Sequence, residues 1–212
     1  MKITVFGATG GIGGHVVEQA LAAGHKVAAV VRESSTYDVV HPSLEVFRVP
    51  GLKDAELLRP ALDGSAAVIS GVGARSRKAG PVASESTRSI LAAMKAVGVQ
   101  RFVAVSALPL GPVPPDESFL NRRLLLPMIN AFAADVYADL RLMEADIMSS
   151  GIEWTIVRPP KLTNKSLTGK YRISIGDTVP RTLSISRADV AHLMLATLDD
   201  LSMLSQPVSV GY

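Results

Sequence analysis

The chain contains 212 residues, of which 48% are hydrophobic and 19% are charged, and its formal net charge is +3. This composition excludes a disordered chain and is typical of one globular domain. Basic and aromatic residues are not interleaved, which argues against nucleic-acid binding, and no apolar run approaches the roughly 20 residues of a membrane span. Cysteine is absent, which excludes disulfides and thiol catalysis. With no recognisable leader sequence, we expect a cytoplasmic protein.

The strongest pattern is an apolar run followed by glycines, ITVFGATGGIGG, which begins at Ile3. The apolar run predicts a buried strand, and the segment after Gly14 has apolar residues at helical spacing. Gly7 permits a sharp turn, Gly10 permits close approach of backbone amides to phosphate groups, and Gly13 permits tight packing of the helix on the strand. A glycine-rich turn without a ligand is the alternative. The strand-to-helix context favours dinucleotide binding, with the diphosphate at the helix N-terminus.

The end of the second predicted strand indicates which dinucleotide is preferred. Residues 25–32 predict this strand, and Arg32 is the first polar residue at its carboxyl end, followed by Glu33, Ser34 and Ser35. An acidic residue here binds the ribose 2′-hydroxyl of NAD, whereas arginine matches a 2′-phosphate with a planar, two-pronged set of donors. The alternative is an arginine that points to water. We expect NADP, with NADPH preferred over NADH, and Glu33 is the feature that argues for NAD.

Strands alternate with helices along the rest of the chain. Further strands are predicted at residues 44–49, 66–73, 101–107 and 152–160. Helices are predicted at residues 55–62, 83–97 and 127–150, the first of them short or bent at Pro60. Such alternation predicts an α/β fold of the Rossmann type, a doubly wound parallel sheet with helices on both faces.

The character of the sequence changes after the sixth strand. Residues 171–175 alternate toward a turn at Gly176 and predict a hairpin with the segment that follows. Ser186 is the predicted N-cap of a helix that runs to about Leu198, with Asp189 as its capping partner. We therefore expect a small C-terminal hairpin and helix elaboration on a single domain of residues 1–212.

Several residues at the predicted carboxyl ends of the strands are candidates for a site. Gly71 and Gly73 leave bare backbone against which a flat cofactor can lie. The basic loop at 75–81 is a candidate clamp for an anionic ligand, with a solvated loop as the alternative. The proline-rich segment at 108–117 excludes helix and central strand and predicts a loop over the site.

Two side chains are candidates for catalysis. Ser106 ends the fifth strand, where the nicotinamide end of a dinucleotide would lie, and its hydroxyl could hold a carbonyl group. Lys161 follows the sixth strand and could orient or protonate an anionic substrate. An ordinary strand-end serine and a solvent-facing lysine are the alternatives. Tyr137 has arginine four positions later in place of lysine, so we expect it to pack rather than react. The four histidines lack ligand spacing, and we expect no metal site.

Six segments occur in an order that resembles a known family: FGATGGIGG, VVRESS, GVGARS, VAVSA, VRPPKL and LTGKYRIS. Together they resemble the atypical short-chain dehydrogenase/reductases of the NAD(P)-binding NmrA-like group, with most similarity to its flavin and biliverdin reductases. The resemblance implies an NADPH-dependent reductase that transfers hydride directly to a flavin, quinone or tetrapyrrole-like acceptor. It also implies a monomer whose partner is a small molecule that can be anionic, without nucleic acid or membrane.

The resemblance also assigns roles to individual residues. The diphosphate would be held by Gly7, Thr9, Gly10, Gly11 and Ile12. The 2′-phosphate would be held by Arg32 and Ser35. The rest of the cofactor would lie against Gly71, Val72, Gly73, Arg75, Ser106, Pro159 and Lys161. Two positions depart from the family pattern: Leu52 replaces an adenine-contacting aspartate, and Lys161 replaces a histidine of the flavin reductase.

Two other functions fit the same residues. NmrA-like proteins include regulators that bind NADP(H) without turnover, and the absence of a Tyr-x-x-x-Lys pair fits a regulator equally well. An epimerase or isomerase of a nucleotide-linked substrate is the third alternative, and the short C-terminal region argues against it.

Overall fold

A computed structural model describes residues 1–73, 80–113 and 133–212. Its strands are β1 (Lys2–Phe6), β2 (Lys26–Arg32), β3 (Leu44–Val49), β4 (Ala67–Ser70), β5 (Arg101–Val105), β6 (Glu153–Arg158), β7 (Lys161–Thr163), β8 (Arg172–Ile175), β9 (Ser184–Ser186) and β10 (Gln206–Gly211). Its helices are α1 (Gly11–Ala22), α2 (Ala55–Leu62), α3 (Val82–Val97), α4 (Ala134–Met148) and α5 (Arg187–Ala196), with 3-10 turns at Leu108–Leu110 and Leu201–Met203.

Eight strands form one sheet in the order β3-β2-β1-β4-β5-β6-β10-β8. All neighbouring pairs are parallel except β10 and β8, which are antiparallel. The order reverses between β1 and β4, and ligands of doubly wound sheets bind in the crevice at this point. The predicted α/β, Rossmann-type fold is confirmed.

The sheet separates two hydrophobic clusters. On one face α1 and α5 contribute buried residues such as Val16 and Val190, and on the other face α2, α3 and α4 contribute residues such as Leu58 and Ile90. β1 supplies both clusters because successive side chains of a strand point to opposite faces. Its residues Val5 and Phe6 are both fully buried and lie in different clusters.

Several local boundaries differ from the prediction, and two of them concern helical turns. α1 begins at Gly11, before the expected start after Gly14, because the Gly14 amide already donates to the Gly10 carbonyl at 2.8 Å. Leu108–Leu110 forms a 3-10 turn inside the segment for which helix was excluded. Pro109 is tolerated there since the first residues of a helical turn donate no internal hydrogen bond. Residues 127–132 of the predicted long helix lie outside the described residues.

The predicted C-terminal hairpin is wrong in its pairing. β8 pairs with β10, with Ile175 opposite Val208, and β9 pairs in parallel with β7. The alternating pattern and the turn at Gly176 (φ +76°) are present. The segment after that turn contains Pro180, which cannot donate to a ladder. The elaboration is therefore built from strands that are distant in sequence.

Asp139 joins α4 to α3. Pro81 precedes α3 and provides no side-chain cap, so the first amides of this helix need another acceptor. The buried Asp139 carboxylate accepts from the amides of Ala83 (2.8 Å) and Ser84 (2.9 Å). A negative charge at a helix N-terminus also interacts favourably with the helix dipole. Asp139 thereby fixes the end of α3 that faces the crevice.

Asp189 holds the C-terminal elaboration together. Its carboxylate is fully buried and accepts from the amides of Thr168 (2.9 Å) and Gly169 (2.8 Å) and from the hydroxyls of Ser186 and Tyr212. Burial alone would raise the pKa of this carboxyl. The hydrogen bonds outweigh burial and lower its pKa to about 2. One charged group thus links a loop, the start of α5 and the C-terminal residue.

We predict that Asp189→Asn destabilises the protein by about 2 kcal/mol near neutral pH, because the pKa of this group is lower in the folded than in the unfolded chain. A depressed pKa contributes stability above the unfolded value, so the difference between wild type and variant should shrink from about pH 4 toward about pH 2. Urea denaturation of both proteins across this pH range measures the difference in their free energies of unfolding. Asp199→Asn, at an exposed position, is the control. A difference that does not change with pH would contradict the assignment.

Candidate functional site

The turn between β1 and α1 is so tightly packed that it requires glycine. Gly7 has φ +75°, and a Cβ on it would lie 2.8 Å from the backbone carbon of Gly71 at the end of β4. A Cβ on Gly13 would lie 2.2 Å from the carbonyl oxygen of Gly7. Since real Cβ atoms do not approach backbone so closely, side chains at Gly7 and Gly13 would separate β1, β4 and α1.

The N-terminus of α1 has backbone donors available for an anion. The first amides of a helix have no intrahelical acceptor, and Gly10 at the N-cap position has no side chain to accept from them. The first turn contains no acidic residue. Ile12 is 8% exposed and packs in the core, so it can contribute only its amide. Together these donors and the helix dipole can bind a phosphate group.

A cavity of about 640 Å³ opens from this turn along the carboxyl ends of β1, β2 and β4. Its lining includes eight of the residues singled out in the sequence: Gly7, Thr9, Gly10, Arg32, Leu52, Gly71, Val72 and Gly73. It also includes four that sequence reasoning missed: Lys53, Leu57, Val82 and Ser86. Leu57 and Val82 belong to helices whose apolar positions predicted packing, so no local signal marked them as lining residues.

The far end of the cavity carries the exposed Arg32. The Ser35 amide donates to the Arg32 carbonyl at 2.9 Å, so both residues lie in one tight turn after β2. Arg48 on β3 donates to the carbonyls of Ser35 (3.1 Å) and Tyr37 (3.4 Å) and fixes the start of the next loop. Arg48 was missed because alternation in β3 marked it only as an exposed residue.

Ser106 lies just beyond β5, outside the lining of this cavity. Its amide donates to the Val157 carbonyl at 2.8 Å, which continues the pairing of β5 with β6. The residue is 9% exposed, and its hydroxyl oxygen has no hydrogen-bond partner among the described residues. A buried hydroxyl without a partner is costly. Ser106 therefore has a donor and an acceptor available for a bound molecule.

Pro159 and Lys161 lie at the carboxyl end of β6. Pro159 is buried, and its carbonyl accepts from the Leu108 amide at 2.8 Å, which joins the 3-10 turn to this strand end. Lys161 begins β7 and is exposed. Neither residue lines the cavity described above. Arg75 and most of the loop at 108–120 lie outside the described residues.

Buried polar groups at the end of β6 form a separate pair. Arg158 and Glu144 of α4 make a two-pronged ion pair, with N–O distances of 3.0 and 2.6 Å. Both residues are more than nine-tenths buried. Because removal of either partner would leave an uncompensated buried charge, the pair fixes α4 against the sheet.

Tyr137 and the histidines do not contribute to the site. Tyr137 packs against the hydrophobic cluster of α3 and α4, and burial raises the pKa of its hydroxyl, which opposes a role in proton transfer. His192 Nδ1 and the Tyr171 hydroxyl form a hydrogen bond of 2.7 Å. In the described ranges, no group of three or more potential ligands could hold a metal ion. No helix of those ranges is long and apolar enough to span a membrane.

Comparison with known proteins identifies the family. A family model described as NAD(P)H-binding matches residues 7–201, which include the glycine turn and all of the lining residues. The chain belongs to this NAD(P)H-binding family. An uncharacterised chloroplastic protein of Arabidopsis thaliana is 33% identical over 205 residues, covering 93% of this chain and 71% of the relative. The cytoplasmic location expected above stays a prediction.

Two solved structures are similar to this NAD(P)H-binding protein along its whole length. A short-chain dehydrogenase/reductase of Veillonella parvula in complex with NADP is 18% identical, with a TM-score of 0.82 over 100% of this chain and 94% of the other. A proposed NADH-flavin reductase of Streptococcus pneumoniae is 23% identical, with a TM-score of 0.78 over 100% of this chain and 99% of the other. At these identities the similarity establishes the fold.

We predict that Gly13→Ala destabilises the protein by about 2 kcal/mol or more, because its Cβ must displace the Gly7 carbonyl. This corresponds to a Tm lower by roughly 5 °C, with weaker binding of NADPH. Gly14→Ala is the matched control, since a Cβ there would lie 3.5 Å from the nearest atom and alanine favours the helix. Thermal denaturation and cofactor titration measure both variants. Equal behaviour of the two variants would contradict the proposed packing constraint.

Proposed function

We propose that the protein is an NADPH-dependent reductase that transfers hydride directly to a flavin, a quinone or a similar planar acceptor. In this proposal residues 1–212 form a single NAD(P)-binding domain, and the protein acts as a monomer. It is a member of the atypical, NmrA-like short-chain dehydrogenase/reductase group. The observation that carries the proposal is the buried hydroxyl of Ser106, which has no hydrogen-bond partner in the part of the chain that the structure describes. Ser106 lies past β5, whereas the cavity opens at β1, β2 and β4.

The residues of the cavity fit the adenosine and diphosphate parts of the cofactor. The glycine positions that cannot accommodate a Cβ allow phosphate oxygens to approach the amides of Gly11, Ile12 and Gly13. Leu52 and Leu57 provide an apolar surface for adenine. Arg32, in the turn closed by the Ser35 amide, supplies the charge that a 2′-phosphate requires. These contacts favour NADPH over NADH.

The carboxyl ends of β5 and β6 fit the nicotinamide and the acceptor. A dinucleotide that lies across the switch point extends from β2 toward β5, where Ser106 can donate to a carboxamide or an acceptor carbonyl. When bound, the cofactor supplies a hydride. Ser106 then orients the reacting carbonyl, and Lys161 at the exposed start of β7 attracts an anionic acceptor. Because a bound acceptor is held close to the donor, positioning accounts for most of the acceleration.

The missing Tyr-x-x-x-Lys pair favours this acceptor class over alcohols and ketones. Tyr137 is followed by arginine at the lysine position, and burial raises the pKa of its hydroxyl. A ketone needs a proton donor at its oxygen, whereas the negative charge on a reduced flavin or quinone is delocalised. The latter acceptors therefore need less acid catalysis.

Oxidation of NADPH by the purified protein tests the proposal. We expect steady turnover with FMN, riboflavin or a quinone, and much slower oxidation of NADH. Biliverdin and a dichlorophenol dye are assayed as further acceptors, and a simple ketone is the negative control. Tight NADPH binding without turnover of any acceptor would contradict a reductase and favour an NADP(H)-binding regulator.

We predict that Arg32→Ala weakens NADPH binding by about tenfold or more and changes NADH binding by less than about threefold, because only NADPH carries the 2′-phosphate. Isothermal titration with both dinucleotides measures the ratio. Arg88→Ala is the control, since Arg88 forms an exposed ion pair with Asp146 away from the cavity. Equal losses for NADPH and NADH would contradict the assignment of Arg32.

We predict that Ser106→Ala lowers kcat for acceptor reduction by about tenfold while NADPH affinity changes by less than about threefold, since the hydroxyl positions the reacting group. Thr182→Val is a matched control because it also removes a buried hydroxyl without a partner among the described residues, beside Gly211 at the end of β10. Steady-state kinetics and binding measurements separate the two effects. Unchanged kcat in Ser106→Ala would exclude a catalytic role.

A further inference from the structure

Arg187 of α5 lies across the start of α1. A Cβ on Gly11 would lie 2.5 Å from Cδ and 2.9 Å from Nε of Arg187, so a larger residue at this position would displace the end of this side chain. The position is maintained by the packing of α5 on α1, where the Gln19 side chain donates to the Ala188 carbonyl at 2.9 Å. The guanidinium of Arg187 therefore lies beside the helix N-terminus that fits the diphosphate.

The charge of Arg187 is not neutralised by a described residue. Its Nη1 donates to the Asn164 side-chain oxygen at 2.5 Å, which is a neutral partner. None of the ion pairs among the described residues includes Arg187, and the first turn of α1 contains no acidic residue. A half-buried arginine next to free amides and without a carboxylate retains donors for an anionic ligand.

The first turn of α5 also holds the segment 164–169. Asn164 is tied to Arg187, and Asp189 accepts from the amides of Thr168 and Gly169 at the other end of the segment. Lys161 lies three residues before Asn164 on β7. The same helical turn therefore contacts both the diphosphate end of the crevice and the segment that follows Lys161.

We propose that Arg187 donates to the cofactor diphosphate and that this contact, through Asn164, orders the segment 164–169 beside the acceptor. The inference rests on the proposed binding of NADPH in the crevice. Arg187 is thus a cofactor-binding residue, and Asn164 is a positioning residue that acts through it.

Titration of Arg187→Met with NADPH and NADH tests the cofactor contact. Both dissociation constants should increase by the same factor, about tenfold, because both dinucleotides carry the diphosphate. Methionine retains much of the aliphatic stem over Gly11, and thermal denaturation checks that the variant is folded. Lys170→Met is the control for charge, since it removes an exposed cation near the same segment and should leave both constants unchanged.

Limited trypsin digestion tests the role of Asn164. Saturating NADPH should slow cleavage of the wild type after Lys165 by about fivefold or more, since local ordering lowers the population of cleavable conformations. The Asn164→Ala variant should bind NADPH within about threefold of wild type and lose this protection. Protection that persists in Asn164→Ala would overturn the coupling between cofactor and segment.

The outcomes separate this inference from the proposed function. If the wild type binds NADPH and Arg187→Met binds it equally well, the role of Arg187 is overturned while the reductase proposal stands. If Arg187→Met weakens NADPH only, Arg187 contacts the 2′-phosphate and not the diphosphate, which also overturns the inference. If the wild type binds neither dinucleotide, both proposals are wrong.

Discussion

The close approach of Gly13 to the Gly7 carbonyl oxygen is the contact on which the rest of the site depends. It brings α1 against the carboxyl ends of β1 and β4, where the strand order reverses. The first amides of α1, beside which Arg187 lies, have neither an intrahelical acceptor nor a side-chain cap. Bare backbone at Gly71 extends the same surface. A ligand with a negatively charged diphosphate can therefore lie across the sheet where most side chains would collide.

The first turn of α5 imposes a second constraint on the same crevice. The buried carboxylate of Asp189 accepts hydrogen bonds from four residues. Arg187, two positions before Asp189 on α5, lies over Gly11 of α1. A charge that is buried and fully hydrogen-bonded restricts the conformations of every group attached to it. The C-terminal elaboration is consequently fixed to the dinucleotide turn, which places the residues after β6 beside the site.

Features that depend on local patterns could be predicted from the sequence. Contacts between segments that are distant in the chain could not. Glycine spacing and apolar periodicity identified the β1–α1 turn and the parallel sheet, because each signal lies within a few residues. The pairing of β8 with β10, in place of the expected hairpin, depends on a strand far along the chain. The position of Arg187 over Gly11 was missed for the same reason. Ser106 was predicted from its place at a strand end, but only the structure shows that its hydroxyl has no partner within residues 1–73, 80–113 and 133–212.

The most direct test is an amide NMR titration of the 15N-labelled protein with NADPH. We expect the amides of Gly11, Ile12 and Gly13 to shift most strongly, since phosphate oxygens accept from them, together with the turn after Arg32. A second cavity, of about 530 Å³, lies between α1 and residues 37–41 on the opposite side of the glycine turn. Saturable binding that leaves the amides of Gly11–Gly13 unchanged and perturbs that second cavity would contradict the account.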